Sequence, residues 1–302
     1  MIVLANDGID SSAKETLEEM GYTVEVDHYD GEALIEKIQE IDCIIVRSAT
    51  KLRQPIIDKA LETRQLKLII RAGVGIDNID HVYAEEQGIK VMNTPNSSSA
   101  AVAELALGHM FALARHIYIA NVTMREGRWE KKQYRGIELN GKTLGLVGFG
   151  RIARSLAKKA MALGMSIIYY DKSDSVTEVD GCQRVDKETL LQTADFISLH
   201  IPFIKQDGPF LDREAFKQMK KGMYLIHTAR GGVVDETALL DALDAGIVKR
   251  AALDVYEDEP VKNMRIYTHD KISLTPHIGA ATYEAQARIG LETIEVIKQY
   301  LA

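Results

Sequence analysis

Only two cysteines and six prolines occur in the 302 residues, and neither Cys43 nor Cys182 sits in a CxxC or Cys/His spacing. A disulfide framework and a zinc site both lack their signature, so no metal is expected and both thiols are expected to be buried and structural. No segment offers about 18 uncharged apolar residues in a row, which removes a membrane-spanning helix. The opening Met1-Ile2-Val3-Leu4-Ala5-Asn6-Asp7 has neither the basic start nor the apolar stretch of a secretory signal. A cytoplasmic protein without a membrane partner is expected. Positive charge is also scarce: 37 Lys and Arg against 44 Asp and Glu give a net charge of −7, with no basic run dense enough to track a phosphate backbone. Nucleic acid is therefore not an expected partner. Pro/Ser-rich linkers, repeats of solenoid period and low-complexity tracts are missing too.

What is present is an ordinary globular composition, 46% hydrophobic and 27% charged, at a length that suggests two domains. Short β-branched runs alternate with helical patterns, the pattern of βαβ units on parallel sheets. A first series has about five strands: Ile2-Val3-Leu4, Thr23 to Val26, Cys43 to Val46, Leu68-Ile69-Ile70 and Ile89 to Met92. A second has six: Thr143 to Val147, Ser166 to Tyr170, Phe196 to Leu199, Tyr224 to His227, Ala251 to Asp254 and Ile272 to Leu274. Between them Asn96-Ser97-Ser98-Ser99 offers helix N-caps, and the Ala/Leu-rich stretch from Ala100 to about Met124 reads as one long helix joining the domains. The final stretch, Ala281 to Ala302, is helical, with Ile289, Leu291, Ile294, Ile297 and Leu301 expected to be buried against the first domain.

The sharpest motif is Gly145-Leu146-Val147-Gly148-Phe149-Gly150-Arg151-Ile152-Ala153, an apolar strand running into G-x-G-x-x-A at a helix start. Gly148 permits the tight turn, Gly150 lets the backbone approach a pyrophosphate, and Ala153 lets the helix lie close to the sheet. The helix N-terminus then faces the anion. Asp171, 18 residues after Ala153, ends the next strand, where a carboxylate can bond both ribose hydroxyls and repel a 2′-phosphate. NAD is favoured over NADP.

Three further groups stand at or just past strand ends, where open parallel sheets bind ligands. Arg230 lies in Thr228-Ala229-Arg230-Gly231-Gly232, Glu259 in Asp254-Val255-Tyr256-Glu257-Asp258-Glu259-Pro260, and His277 in Thr275-Pro276-His277-Ile278-Gly279. An Arg can fork a substrate carboxylate, a His can move a proton near neutral pH, and a carboxylate behind it can fix its tautomer. Together they form a toolkit for alcohol and ketone interconversion beside a nicotinamide. Taken singly, each has a structural explanation, as have His28, His81, His109 and His116, which sit in no motif; His200 and His227 end strands.

With these segments in place the chain resembles the D-2-hydroxyacid dehydrogenase family from Met1 to the last helix. Further matching stretches are Val46-Arg47-Ser48-Ala49-Thr50-Lys51, Arg71-Ala72-Gly73-Val74-Gly75-Ile76-Asp77-Asn78-Ile79, Val91-Met92-Asn93-Thr94-Pro95-Asn96 and Glu138 to Gly145. The resemblance implies an α/β fold of two doubly wound parallel-sheet domains. A flavodoxin-like substrate domain over 1–96 and 282–302 would receive an inserted Rossmann domain over 97–281, with the active site in their cleft. It also implies that Arg230 binds the α-carboxylate with the Val74 and Gly75 amides, that His277 is the acid/base, and that Glu259 pairs with it. Asp254 would hold the nicotinamide carboxamide, and the other cofactor contacts would be Gly148, Gly150, Arg151, Ile152, Asp171, Thr228, Ala229 and Gly279.

The expected substrate is a phosphorylated 2-hydroxy acid, 3-phosphoglycerate, with Arg47 and Arg71 at corresponding strand ends reaching its phosphate. The alternatives are a reductase of glyoxylate, hydroxypyruvate or another 2-keto acid and, from a different class, a non-catalytic NAD-sensing corepressor. A homodimer with Trp129 near its interface is the expected assembly. The segment Pro202 to Pro209 replaces the family's usual Thr-containing loop. The regulatory domain that many relatives carry after this point is not expected, nor is feedback through one.

Overall fold

The computed structural model describes residues 1–176 and 179–301, which form two compact units: Met1–Ser99 with the chain from Ala280 on, and Ala100–Gly279. The first unit carries β1 (Ile2–Ala5), β2 (Thr23–Glu25), β3 (Cys43–Val46), β4 (Leu68–Arg71) and β5 (Lys90–Asn93). They form a wholly parallel sheet in the order β2-β1-β3-β4-β5. Both faces are covered, so the strands read as unbroken apolar runs, yet their side chains still alternate between two cores. Val3, Ile45 and Ile70 pack with Leu17 and with Ile289, Ile294 and Ile297. Leu4, Ile44 and Ile69 pack with Leu34, Ile38 and Ile57 on the other face.

The helix Tyr283–Leu301 thus belongs to the first unit. It can lie close because Gly290 meets Ala13: a Cβ there would stand 2.7 Å from the Ala13 Cβ. Leu291, expected inside, is 62% exposed, because its position points off the buried stripe. The expected helix end at Ala302 lies outside the described residues.

The second unit carries β6 (Thr143–Val147), β7 (Ser166–Tyr170), β8 (Cys182–Arg184), β9 (Phe196–Leu199), β10 (Met223–His227), β11 (Val248–Leu253) and β12 (Ile272–Leu274). The sheet is parallel in the order β12-β11-β10-β9-β6-β7-β8. Seven strands replace the expected six, since the edge strand β8, with its polar Gln183 and Arg184, has no apolar run to announce it. Cys182 begins β8 half-buried rather than in the core, whereas Cys43 is buried.

The expected long helix is two, Ser99–Arg115 and Ile117–Arg125, separated by His116 in a left-handed conformation at φ 57°. The break has a tertiary cause. Ile137 N–H donates to the Ala114 carbonyl at 3.0 Å, and the His116 Nε2 lies 3.2 Å from the Arg135 carbonyl oxygen. Only glycine fits at 136, where a Cβ would come within 2.4 Å of the Ala114 oxygen.

Candidate active site

Register lines up the ends of six strands in the second unit. Tyr170, Val147, Leu199, His227, Leu253 and Leu274 are paired in turn across β7-β6-β9-β10-β11-β12. The residues that follow this row are Asp171, Gly148, His200, Thr228, Asp254 and Thr275. The chain runs from β6 outward in both directions, so the row includes the topological switch between β6 and β9, where open α/β sheets bind ligands.

The dinucleotide motif lies there. Gly148 has φ 82°, and a Cβ would sit 2.7 Å from the His200 carbonyl oxygen, so only glycine makes the turn. Gly150 starts the helix Arg151–Ala162 with no side-chain cap. A Cβ at Gly150 would meet nothing within 4 Å, leaving open space over uncapped N–H groups. Arg151 is exposed and Ile152 half-buried at the first helical turn. The Asp171 carboxylate accepts Phe149 N–H at 2.7 Å and Ser173 N–H at 2.9 Å, which pins the glycine turn to β7 and leaves lone pairs for ribose hydroxyls. Ala229 is buried, and Thr228 keeps a buried hydroxyl without a partner among the described residues. An uncapped helix start, open space at Gly150 and an orphaned hydroxyl on one strand row fit a dinucleotide.

Two histidines stand at these strand ends, His227 buried and His200 half-buried with its Nδ1 enclosed. His200 bonds Ser198 Oγ through Nε2 at 3.0 Å, and the His227 ring bonds the Arg230 backbone. Their Nδ1 atoms are buried without partners among the described residues, as suits bare lone pairs on neutral rings. Burial pushes both imidazoles down to about 3.

Arg230 and His277 follow β10 and β12, the strands on either side of β11. The Arg230 turn is fixed from three sides. His227 holds its backbone, a Cβ on Gly231 would lie 1.8 Å from the Tyr256 carbonyl oxygen, and Gly232 lies under the Phe203 ring. Arg230 Nη1 also donates to the Ala229 carbonyl at 2.6 Å.

His277 and Glu259 are brought together, Nδ1 to Oε2 at 2.6 Å. Glu259 Oε1 in turn accepts Tyr256 N–H at 3.2 Å. A carboxylate can only accept, so Nδ1 carries a proton and Nε2 is left for substrate. His277 itself is left-handed, φ 53°, a conformation that costs a non-glycine residue about 1 kcal/mol or more.

Asp254, just past β11, is 1% exposed. Its Oδ1 accepts Ile278 N–H at 2.9 Å and the Thr275 hydroxyl at 2.6 Å, and its Oδ2 accepts Gly279 N–H at 2.9 Å. Three of about four acceptor positions are thus filled by the chain itself. Behind Thr275 stands His109, whose Nε2 is 3.1 Å from Thr275 Oγ1. Neither residue was assigned a role from the sequence.

In the first unit, Gly73 donates to the Arg71 carbonyl, the Val74 carbonyl accepts from Asn93 Nδ2 at 2.5 Å, and the Gly73 carbonyl accepts from Thr94 N–H. The Val74 and Gly75 N–H groups have no partner among the described residues, an arrangement open to an anion. The Arg71 guanidinium lies over Gly73, where a Cβ would collide with it. The Arg47 backbone is held by Asp7 and Asn78. Its half-buried side chain pairs with no described residue.

The expected correspondence of these two arginines needs correcting. Arg71 pairs with Val46, not with Arg47, which follows β3, so the two are one residue out of step.

Residues 107–279 match the model of the D-isomer specific 2-hydroxyacid dehydrogenase, NAD binding domain. A hydroxypyruvate reductase of Thermotoga maritima is 46% identical over 98% of this chain and 96% of its own length. A D-3-phosphoglycerate dehydrogenase of Methanocaldococcus jannaschii is 44% identical over 99% of this chain, which spans only 57% of that longer protein. Among solved structures, a glyoxylate reductase from Paecilomyes thermophila superposes with a TM-score of 0.89 at 30% identity, covering 99% of this chain and 94% of the other. The chain belongs to the D-isomer specific 2-hydroxyacid dehydrogenase family. Its cofactor is NAD, and its class of activity is that of the NAD-dependent 2-hydroxyacid dehydrogenases.

Proposed function

We propose that this protein oxidises 3-phosphoglycerate to 3-phosphohydroxypyruvate with NAD, the first step of serine synthesis. The observation that carries the substrate half is Arg47, a half-buried residue whose side chain has no partner among the described residues, just past the end of β3. A guanidinium without a mate is a ready partner for a phosphate dianion. Arg71, folded over Gly73, is the second phosphate ligand in this reading. The M. jannaschii relative bears the matching activity in its name.

In the reaction, Arg230 forks the α-carboxylate, with the Val74 and Gly75 amides as further donors. The His277 Nε2 takes the C2 hydroxyl proton, while Glu259 keeps the ring's other proton on Nδ1 and balances the charge that develops. Bound NAD supplies the hydride acceptor. The Asp171 carboxylate bonds the ribose and keeps out a 2′-phosphate. A homodimer and a cytoplasmic site of action belong to the same proposal.

A second reading, reduction of hydroxypyruvate or glyoxylate, is favoured by the T. maritima match along nearly its whole length. Initial rates with 3-phosphoglycerate and D-glycerate plus NAD, and with hydroxypyruvate and glyoxylate plus NADH, separate the two. Hydrogen bonds between charged groups contribute roughly 1.5 to 3 kcal/mol each, so Arg47→Ala or Arg71→Ala should lower kcat/KM for 3-phosphoglycerate by about 10- to 150-fold. Turnover of D-glycerate should hardly change. Equal losses on both substrates, or fast reduction of hydroxypyruvate with no oxidation of 3-phosphoglycerate, transfer the assignment to the second reading.

A further inference from the structure

We propose that His109 is a positioning residue for the reaction, acting through Thr275 and Asp254 to hold His277 in its working conformation. The inference rests on the reading of His277 as the acid/base.

His109 lies inside the helix Ser99–Arg115, 4% exposed, among Ala106, Met110 and Leu113 of the same buried face. A helix core of alanine, leucine and methionine has no use for an imidazole, and leaving its polar atoms unbonded there would be costly. Among the described residues this ring has one hydrogen-bond partner, the Thr275 hydroxyl at 3.1 Å. That hydroxyl gives its proton to Asp254 Oδ1 at 2.6 Å, so toward His109 it can only accept. His109 must therefore donate from Nε2. Burial lowers its pKa from the usual imidazole value, consistent with a neutral ring that donates through one nitrogen.

The far end of the chain explains the arrangement. His277 in the left-handed region turns the next two N–H groups, of Ile278 and Gly279, toward one point, and the Asp254 carboxylate occupies it. Successive N–H groups of this kind form a concavity for an anion, and bonds to a carboxylate are about twice as strong as neutral ones. They offset the strain at residue 277. The carboxylate can do so only while its plane is fixed, and Thr275, backed by His109, fixes Oδ1. Gly279 lies tight against this carboxylate: a Cβ there would stand 3.2 Å from Asp254 Oδ2 and 3.3 Å from Val102. Without the His109 donor the Thr275 hydroxyl can turn away, the Asp254 carboxylate rotates, and His277 samples the ordinary right-handed and extended regions.

The test uses the full chain with His109→Leu, His109→Gln, Thr275→Val and the His109→Leu/Thr275→Val double variant, with His277→Gln as control. Two quantities are read: kcat and KM with 3-phosphoglycerate and NAD, and with hydroxypyruvate and NADH; and deuterium uptake by the peptide spanning residues 275–281 in the protein without substrate. His109→Leu is expected to lower kcat about tenfold with KM changed less than threefold, and to speed exchange at 278 and 279 at least fivefold. His109→Gln, which keeps an N–H donor, should restore both to within about threefold. The double variant should be no worse than Thr275→Val alone, because the two side chains act in one line.

Exchange at 278 and 279 equal to the parent, His109→Gln as impaired as His109→Leu, or losses that multiply in the double variant would each overturn the role of His109. Full turnover by His277→Gln would instead overturn the acid/base assignment. The exchange measurement needs no turnover, so it decides the positional claim even then.

Discussion

Acid should unfold the second unit through two histidines that no motif singles out. His200 and His227 follow or end β9 and β10, and burial holds both imidazoles at about 3. An unfolded histidine titrates near 6.5. Because the folded value is the lower one, each ring contributes stability that is fully present above pH 6.5 and is lost as the pH falls toward the folded value. At pH 5 the unfolded chain has taken up nearly one proton per ring and the folded chain almost none. Integrating proton uptake from pH 7 to 5 gives a loss of about 2 kcal/mol per histidine, or about 4 kcal/mol for the pair. That is a large part of the 5 to 15 kcal/mol typical of a folded domain.

The assay is urea unfolding followed by far-ultraviolet circular dichroism at pH 7 and pH 5, for the parent, His200→Gln, His227→Gln and the double variant. Each single variant should reduce the drop between the two pH values by about 2 kcal/mol, whatever its stability at pH 7. A drop of the same size in all four proteins would show that these rings are not held neutral, and the burial argument would fail.

His277→Gln should cost at least about 10²-fold in turnover while leaving NAD binding, followed by fluorescence titration of NADH, nearly intact. Asp171→Ser removes the carboxylate that excludes a 2′-phosphate, so the NAD to NADP ratio of kcat/KM should fall at least about tenfold, equal to 1.4 kcal/mol; an unchanged ratio would mean that Asp171 serves only Phe149 and Ser173. Gly148→Ala combines a positive φ with a clash against the His200 carbonyl, and NADH affinity should drop at least about tenfold, whereas Gly150→Ala, with open space at its Cβ position, should fold normally and lose affinity only if the pyrophosphate fills that space. Gly290→Ala pushes a methyl to 2.7 Å from Ala13 and should destabilise the first unit by about 1 to 3 kcal/mol in chemical unfolding without altering NADH binding.

The sequence by itself determined whatever is written in neighbouring residues. The strand, glycines, helix and acidic residue from Gly145 to Asp171 specify their own geometry, because turn, cap and register all fall within one βαβ unit. The family and its cofactor were legible there, as were Arg230, Glu259 and His277 as members of strand-end motifs. The tertiary structure alone decided what joins distant segments. The Ala100 to Met124 helix breaks at His116 because residues 135–137 capture its end, and no local signal forecasts that. Strand β8 exists because β7 offers it an edge. Arg47 and Arg71 looked equivalent as strand ends, but register sets them one residue out of step. His109 and Thr275, 166 residues apart, acquire a joint meaning only when a buried helix face meets the end of β12. A side chain's function is set by its neighbours in space, and those are fixed by packing rather than by spacing along the chain.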